Sequence, residues 1–512
     1  MATKTLFNSV VNWFIKQRID QIQNFMRHPI DTQRGILFSQ LYHAEDTEYG
    51  KLHGFSSISS YEDFKNQVPI VSYEDFEPYI ERARQGQKNI IWPGAIKNFA
   101  KSSGTTNAKS KFIPITQDSL EKCHMKAGKD MVSIYANNHP DNQLFSNKNL
   151  RLGGSAELYE EFNTKFGDLS AILIDNLPFW VEITTTPSKK VSLMSEWEQK
   201  LKAIVEEVVH ADVGSLTGVP SWMMVLLQRI LKEKNINTIG ELWPNLEVFF
   251  HGGINFSPYR EEYKKIIGRT INYYEIYNAS EGFFGIQDRS GSDEMLLMLD
   301  YGIFYEFIPM DQFSTENPMA IPLEEVELGK NYAVVITTNG GLWRYIIGDT
   351  VIFTSLDPYR IKISGRTKHY INAFGEELMI GNVESAIVKA CQETGASVRE
   401  FTGAPIFMEG NESGGHEWVF EFNTAPDSLE KFTQAFDEHL KQVNSDYEAK
   451  RYNNMTLKSP VIHKAPEGLF YQWMQSRGKM GGQNKVPRLS NDRTYITPIL
   501  ELVSLHHKIH IK

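Results

Sequence analysis

Cysteine is almost missing from this chain of 512 residues, which contains only Cys123 and Cys391. So few cysteines exclude a framework of several disulfides, and neither residue lies in a Cys-x-x-Cys pair or a Cys/His cluster with zinc spacing. Low cysteine usage of this kind is typical of reducing compartments. The composition therefore disfavours a disulfide-stapled secreted domain and a structural zinc module.

Long apolar runs are missing as well. A membrane-spanning helix needs about 20 consecutive, mostly apolar residues, and no segment approaches that length. The short apolar stretch near the start is broken by Asn12 and closed by Lys16, Arg18 and Asp20, whereas a signal peptide requires a longer apolar region and a small-residue cleavage site. We therefore expect a soluble, cytoplasmic protein without a membrane partner.

The chain also lacks an excess of positive charge. Lys and Arg number 53 and Asp and Glu number 63, so the formal net charge is -10. Proteins that bind nucleic acid usually carry the opposite balance, so nucleic acid is not an expected partner. Hydrophobic residues make up 41% and charged residues 23%, an ordinary globular composition with enough apolar material for a large core.

The spacing of apolar residues predicts an α/β fold over the first two thirds of the chain. A stripe at helical spacing from Val10 to Met26 predicts a packed helix. Farther on, short strand-like runs alternate with longer helical patterns, which is typical of parallel sheets. The strand-like runs lie at 169–174, 246–250 and 271–277, and the helical ones at 196–209 and 221–232. At 294–307 and 332–338 strand follows strand, which indicates an antiparallel section.

The pattern changes after residue 368. A helix, two strands and a long helix follow one another, which is typical of a small α+β domain. We therefore predict a large α/β domain over residues 1–365, with parallel-sheet layers and an antiparallel section. Residues 366–512 are predicted to form a small α+β domain, with the boundary near 364–368.

The segment KSSGTTNAKSKF (101–112) has the composition of a phosphate-binding loop. Gly104 lets the backbone turn and approach closely, and hydroxyl and amide groups donate to phosphate oxygens. The spacing is not that of a Walker loop. Taken by itself, the segment is more simply a turn.

Two other segments combine the end of a strand with a carboxylate. In YEIYNASEGFFG (274–285), an aromatic ring could stack on a flat base and Glu281 could hold Mg²⁺ near triphosphate oxygens. In GGLWRYIIGDTV (340–351), Asp349 could accept hydrogen bonds from both ribose hydroxyls. Each of them alone is more simply a strand-to-turn junction.

Two basic segments lie in the last third of the chain. SGRTKHYINAFGEELMIGNVESAI (364–387) places a basic cluster before a predicted helix, and GGQNKVPRL (481–489) carries Lys485 in a glycine-rich loop. Taken singly, they are a charged linker and a surface lysine. All five segments together, in this order, are not expected by chance.

Their order resembles that of the adenylate-forming superfamily of acyl-CoA synthetases, luciferases and peptide-synthetase adenylation domains. Within that superfamily, SSGTTNAKSKF, SEGFFG and GLWRYIIGD are similar to the auxin-responsive (GH-three) family of acyl-acid amido synthetases. NSDYEAKR (444–451) and GGQNKVPR add to the likeness, which extends from TEYGKLHGF (47–55) to Arg488. One departure is Ala108, where many relatives carry glycine.

The resemblance implies a set of site residues. It places the ATP phosphates on Ser102, Ser103, Gly104, Thr105 and Thr106, adenine against Gly252, Gly253 and Tyr277, and ribose on Asp349 and Arg366. It implies Lys485 as the catalytic residue, Glu281 as the Mg²⁺ ligand and Lys368 as the hinge. It further implies that the large domain, residues 1–365, binds ATP and the acid. The small domain, residues 366–512, would then be a mobile lid with its hinge near 364–368. It also places Val219, Trp222 and Met223 near the acyl group, although such residues at helical spacing are usually core.

The activity that the resemblance implies is ATP-dependent ligation. A carboxylate attacks the α-phosphorus of ATP to give an acyl-adenylate and pyrophosphate, and an amine, expected to be that of an amino acid, then takes the acyl group and releases AMP. ATP and Mg²⁺ are the expected cofactors. The hinge segment is closer to the general superfamily than to plant amido synthetases, so a coenzyme A ligase stays open, as does a non-catalytic ligand-binding relative.

Overall fold

The computed structural model divides into two compact units. One comprises Met1–Ile254 and Ile266–Ile363, and the other comprises Asn255–Lys265 and Ser364–Lys512. The second unit thus contains a short segment from the middle of the chain, which the sequence did not predict. The residues that the structure describes are 2–102, 111–153, 158–194, 197–253, 256, 259–313, 318–367, 370–371, 373, 376, 378–407, 414–444, 447–448, 451, 457–477, 486–490 and 492–509.

The described helices are numbered in chain order. They are α1 (Ala2–Arg27), α2 (Pro29–Ala44), α3 (Glu48–Leu52), α4 (Tyr61–Gln67), α5 (Tyr73–Arg84), α6 (Gln117–Ser119), α7 (Lys126–Asn138), α8 (Leu169–Asp175), α9 (Phe179–Thr184), α10 (Lys189–Ser192), α11 (Trp197–Val208), α12 (Pro220–Lys234), α13 (Ile239–Leu242), α14 (Arg260–Ile267), α15 (Ile380–Thr394), α16 (Leu429–Val443), α17 (Leu469–Ser476) and α18 (Ile496–Ile509). A π-helical turn, Leu120–Met125, joins α6 to α7. None of the described helices is long and apolar enough to cross a bilayer.

The described strands are numbered in the same way. They are β1 (Asn98–Ser102), β2 (Lys111–Ile115), β3 (Lys148–Leu152), β4 (Tyr159–Glu161), β5 (Thr164–Gly167), β6 (Thr185–Thr186), β7 (Val213–Gly218), β8 (Val248–Gly252), β9 (Asn272–Ala279), β10 (Gly282–Ile286), β11 (Met295–Leu297), β12 (Ile303–Pro309), β13 (Ile321–Pro322), β14 (Asn331–Thr338), β15 (Tyr345–Leu356), β16 (Tyr359–Arg366), β17 (Tyr370–Ile371), β18 (Leu378–Met379), β19 (Ser397–Ile406), β20 (Gly415–Thr424) and β21 (Val461–Ala465).

A sheet of twelve strands forms the centre of the first unit. Its order is β13-β12-β14-β15-β16-β11-β10-β9-β8-β7-β3-β6. The strands from β6 to β9 in this order pair in parallel, and β9 pairs antiparallel with β10, as does β12 with β14. This confirms the predicted α/β fold class, with its parallel and antiparallel sections, and the two sections meet at β9 and β10.

The parallel strands are covered on both faces, as their apolar composition requires. All five residues of β8 are buried. On one face, Tyr135 of α7 packs edge-on against Phe250 and Tyr274. A smaller sheet in the same unit, in the order β2-β1-β5-β4, carries the predicted phosphate segment.

The second unit is built on a three-stranded sheet, β19-β20-β21. Alternate residues of β20 belong to separate apolar clusters, because side chains of a strand point to opposite faces. Trp418 and Phe420 pack against Phe436 of α16 on one side, and Val419 joins the cluster of α17 and α18 on the other. The predicted order of helix, two strands and long helix is confirmed by α15, β19, β20 and α16.

One strand prediction was wrong. Residues 169–174 form the helix α8 rather than a strand. A short run of nearly continuous apolar residues does not reveal its period, so strand and helix cannot be distinguished from it. Leu169 and Ile172, three residues apart, share the buried face of this helix.

Candidate active site

The carboxyl ends of β8 and β9 bring three predicted site residues together. Gly252 pairs with Ile276, whose neighbour in the chain is Tyr277. A Cβ atom at position 252 would collide with the carbonyl oxygen of Ile276, so only glycine permits this close approach. Gly253 then turns the chain away with a φ of +81°, a left-handed conformation that favours glycine. In parallel sheets, this edge is where ligands generally bind.

Tyr277 contacts Asp349 directly. Its hydroxyl donates to Oδ2 of Asp349 at 2.9 Å, and the two side chains are only 4% and 7% exposed. The strands β9 and β15 lie four places apart in the sheet, which in a flat sheet corresponds to about 19 Å. The sheet must therefore curve strongly to make this contact, which the sequence did not predict.

Neighbouring residues of the same motif fix the start of β15. The Trp343 indole N–H donates to the carbonyl of Ile91 at 3.1 Å. Arg344 forms a buried ion pair with Glu306, 2.8 Å between nitrogen and oxygen, and donates to the carbonyl of Val68. These two side chains act structurally, because they tie the start of β15 to β12 and to two segments of the first hundred residues.

Glu281 lies in the tight turn between β9 and β10, where Ala279 pairs with Gly282. The N–H of Phe283 donates to Sγ of Cys123 in the π-helical turn, at 3.2 Å. Burial raises the pKa of Cys123 to about 12, so the group that supports this turn is a neutral thiol. No pattern in the sequence indicates this role of the cysteine.

A Mg²⁺ ion is compatible with Glu281 as a single protein ligand. Within the described ranges, no group of three or more His, Cys, Asp and Glu side chains could hold a metal on its own. Mg²⁺ bound with a nucleotide usually takes one or two carboxylates and completes its shell with phosphate oxygens and water. The half-buried carboxylate of Glu281, between two strands, fits that chemistry.

The predicted phosphate segment spans a β-hairpin. Ser102 ends β1 and pairs with Lys111, the first residue of β2. The structure describes only the backbone of Ser102, and the residues Ser103, Gly104, Thr105 and Thr106 lie outside the described residues. The hairpin therefore locates the two ends of the segment. Its binding of phosphate stays a prediction.

The site residues predicted in the C-terminal part lie mostly outside the residues that the structure describes. Arg366 ends β16 without a described side chain, and Lys368 and Lys485 lie outside the described residues. Three residues after Lys485, however, Arg488 is anchored within the second unit. It donates to Glu384 at 2.7 Å and to the hydroxyl of Tyr259 at 3.2 Å.

The residues assigned to the acyl group lie at the start of α12. Val219 precedes the helix, Trp222 is 8% exposed, and Met223 is fully buried. The Cε atom of Met223 lies against Gly218 at the carboxyl end of β7. Such burial is typical of core packing, and contact with an acyl group stays a prediction.

Comparison with known proteins identifies the family to which the chain belongs. Models of the GH3 family N-terminal, central and C-terminal domains match residues 18–271, 296–366 and 381–494. The chain is 23% identical to the indole-3-acetic acid-amido synthetase GH3.3 of Arabidopsis thaliana, over 94% of this chain and 92% of that protein. It is 26% identical to the jasmonoyl-L-amino acid synthetase JAR4 of Nicotiana attenuata, over 60% of this chain and 63% of that one.

Solved structures show the same fold. The AtGH3.15 acyl acid amido synthetase in complex with 2,4-DB matches with a TM-score of 0.79 at 17% identity, over 96% of both chains. A 2-hydroxyisobutyryl-CoA ligase in complex with 2-HIB-AMP matches with a TM-score of 0.57 at 14% identity, over 92% of this chain and 91% of that one. The fold is thus one that an acyl acid amido synthetase and a CoA ligase share. The chain belongs to the GH3 family of amido synthetases, which are ligases.

Proposed function

We propose that this enzyme uses ATP to adenylate a small carboxylic acid and then transfers the acyl group to the amine of an amino acid. The observation that carries the proposal is the contact between Tyr277 and Asp349 beside Gly252. Residues that the family resemblance assigns to adenine and to ribose thereby share one site at the carboxyl edge of the parallel strands. The relative named as an indole-3-acetic acid-amido synthetase supports an amide product, and the one named for jasmonoyl-L-amino acids supports an amino acid as acceptor.

The first step joins two anions, and the protein must offset their repulsion. The acid carboxylate attacks the α-phosphorus of ATP, the bond to the β-phosphate oxygen breaks, and pyrophosphate leaves. In our proposal, Ser102, Ser103, Gly104, Thr105 and Thr106 donate to the phosphates and the Lys485 ammonium stabilises the developing charge. Mg²⁺, which would be held by Glu281, supplies further charge neutralisation when bound.

The nucleotide is held by residues of β8, β9 and β15. Gly252 and Gly253 leave room for the adenine edge, and Tyr277 covers its face. Asp349 accepts hydrogen bonds from the ribose hydroxyls, assisted by Arg366. Because the nucleotide is held in a fixed orientation, the reaction with the acid takes place between groups that are already positioned in one site.

The second step needs a different arrangement. The amine nitrogen attacks the acyl carbon, the bond to the AMP oxygen breaks, and the amine loses a proton. We propose that residues 1–365 bind ATP and the acid, and that residues 366–512 form a lid that turns about Lys368 between the steps. Val219, Trp222 and Met223 are the proposed acyl contacts, and the cytoplasm is the proposed location.

Replacement of Lys485 by alanine tests the first step. We expect pyrophosphate exchange to fall by a hundredfold or more, because one preorganised charge donor is typically worth about 3–4 kcal/mol in the transition state. The thermal unfolding midpoint should stay at the wild-type value. Lys464→Ala, an exposed lysine of the same unit, serves as the matched control. Undiminished exchange in Lys485→Ala would exclude the proposed role.

An acceptor screen tests the second step. The wild-type enzyme is first screened by pyrophosphate exchange against a panel of carboxylic acids, with hydroxamate trapping of the activated acyl group. The best acid is then offered amino acids or coenzyme A, and AMP release is measured. Amide formation supports the proposal, and a thioester product would identify a coenzyme A ligase instead.

A further inference from the structure

The segment 486–490, which directly follows Lys485 in the chain, lies along the outer edge of β19. The N–H of Gly403 in this strand donates to the carbonyl of Arg488 at 2.9 Å, and the N–H of Ser490 donates to the carbonyl of Gly403 at 3.1 Å. The segment thus extends the three-stranded sheet of the second unit by a short parallel piece.

Apolar side chains hold the same segment from both faces of this sheet. Val486 is buried in the cluster of α17 and α18, whereas Leu489 is buried in the cluster of α15 and α16. Between them, the carbonyl of Pro487 accepts from the Thr402 hydroxyl at 2.6 Å. The segment therefore belongs to the core of the second unit rather than to a surface loop.

Arg488 joins this segment to three other parts of the second unit through its guanidinium group. Its nitrogens lie 2.7 Å from a carboxylate oxygen of Glu384 in α15, 3.3 Å from one of Glu400 in β19 and 3.2 Å from the hydroxyl oxygen of Tyr259. The guanidinium carbon also lies 5.0 Å from the ring centre of Phe401, within the range of a cation–π contact. Because arginine presents several donors in one rigid plane, these contacts together fix the side chain and the backbone that carries it.

The anchored segment restricts the position of Lys485, its neighbour in the chain. Consecutive Cα atoms lie about 3.8 Å apart, so the fixed position of Val486 limits where the backbone of Lys485 can be. A catalytic group must be placed accurately, since a displacement of about 1 Å can lower a rate by about a hundredfold. Because a lysine side chain is a flexible four-carbon chain, its backbone has to supply part of that accuracy.

We propose that Arg488 is a positioning residue for the adenylation step. It holds the segment 486–490 in place and thereby fixes the backbone from which the Lys485 ammonium reaches the phosphates. Arg488 touches neither substrate and acts through Lys485 alone. This inference rests on the proposed role of Lys485 in the first step, and it adds a residue whose replacement should impair the first step without the second.

Arg488→Lys tests the inference without removal of the positive charge. A lysine can still face Glu384 or Glu400, but one ammonium cannot reproduce the planar set of contacts. We expect kcat for pyrophosphate exchange, measured with the acid that the panel selects, to fall by about tenfold to a hundredfold. KM for ATP and for the acid should change by less than about twofold, because no substrate contact is lost. An unchanged kcat would overturn the inference.

The matched control is Arg493→Lys. Arg493 is a half-buried arginine of the same unit that pairs with Glu417 and donates to the carbonyl of Pro405. This variant should exchange pyrophosphate as the wild type does. Both variants should unfold near the same temperature, because each retains a cation opposite its carboxylates. An equal fall of kcat in Arg493→Lys and Arg488→Lys would overturn the inference.

A double variant shows whether Arg488 acts through Lys485. Addition of Arg488→Lys to Lys485→Ala should leave the residual exchange unchanged, because the ammonium that would be misplaced is already missing. A further fall, by the factor seen for Arg488→Lys alone, would overturn the inference. It would show that Arg488 contacts a substrate itself or supports the whole unit.

The second step supplies a readout that separates positioning from general damage to the unit. The acyl-adenylate of the selected acid is prepared chemically and offered to the enzyme with the amino acid that gives the most amide. Arg488→Lys should form amide at the wild-type rate, because Lys485 is proposed to act only in the first step. Parallel losses in both steps would show a merely structural role and overturn the inference.

The outcomes also distinguish this inference from the proposed function. Wild-type exchange in Lys485→Ala would contradict the proposed role of Lys485, and this inference with it. Impaired exchange in Lys485→Ala together with normal exchange in Arg488→Lys would contradict this inference alone.

Discussion

At the scale of single residues, the contact between Tyr277 and Asp349 is the most informative feature of the site. Both side chains come from motifs that the family resemblance singled out, and 72 residues separate them in the chain. Because the tyrosine hydroxyl donates to the carboxylate, it orients the group proposed to hold the ribose.

Replacement of Tyr277 by phenylalanine tests this role. We expect kcat/KM for ATP in pyrophosphate exchange to fall by about tenfold or more, since a hydrogen bond to a charged group is typically worth about 1.5–3 kcal/mol. Tyr274→Phe is the matched control, because it removes a hydrogen bond to Asn138 from the opposite face of the same strand. Equal losses in the two variants would contradict the proposed role.

A second residue of interest is His124 in the π-helical turn, which the sequence did not single out. Its side chain is 6% exposed, and its Nε2 atom is buried without a partner among the described residues. Burial lowers the pKa of this imidazole from 6.5 to about 4, so it is neutral in the folded protein near pH 6.

The pKa of His124 predicts an acid-sensitive stability. Between pH 6.5 and pH 4 the unfolded chain binds a proton at His124 and the folded chain does not, so the free energy of unfolding should decrease as the pH falls. The loss from this residue amounts to about 3 kcal/mol and is complete near pH 4. Urea unfolding at a series of pH values should show a shallower decrease for His124→Leu. His210→Gln, at an exposed histidine, should retain the wild-type slope, and identical slopes in all three proteins would contradict the prediction.

At the scale of secondary-structure elements, the start of β15 is held by a buried ion pair. Arg344 and Glu306 are 4% and 1% exposed at their side chains, and Tyr61 also donates to Glu306. Arg344 itself has a φ of +43°, a conformation that non-glycine residues rarely adopt, so the surrounding contacts must hold it there.

Arg344→Met is predicted to destabilise the first unit strongly. It leaves the Glu306 carboxylate buried and without its cation, a change that typically costs about 3–5 kcal/mol. Urea unfolding should show the loss, and the double variant Arg344→Met with Glu306→Leu should recover part of it. Arg82→Met, which breaks an exposed pair with Glu48, should change the midpoint little. Similar effects of Arg344→Met and Arg82→Met would refute this account.

At the scale of the whole molecule, the division into two units does not follow the chain. The segment Asn255–Lys265 comes directly after the glycines of β8, yet it packs with the C-terminal part. Tyr259 of this segment is 5% exposed; its hydroxyl donates to the carbonyl of Arg399 and accepts from Arg488. One buried residue from the middle of the chain thus supports the second unit.

Tyr259→Ala should therefore loosen the second unit selectively. Truncation of a buried aromatic side chain typically costs about 3–5 kcal/mol. Hydrogen exchange of the β19 amides should accelerate, whereas the amides of β3 and β7 should exchange as in the wild type. Faster exchange confined to the first unit would show that the segment belongs there instead.

Much of the architecture was predictable because it depends on local patterns. Apolar periodicity predicted α1, α11, α12, β8 and β9, since burial of one face or of both faces leaves a regular spacing. It failed for α8, where an apolar run of six residues fits either period. Motif order predicted the family, because each motif combines residue types that nucleotide chemistry requires.

The sequence by itself determined the composition class, the α/β fold and the motifs that identify an adenylate-forming ligase. Only the tertiary structure decided that Tyr277 meets Asp349, that Arg344 pairs with Glu306 and that Tyr259 packs in the second unit. These contacts join residues far apart in the chain. They depend on strand order and sheet curvature, which arise when many weak packing interactions are satisfied at once, and no local spacing records that outcome.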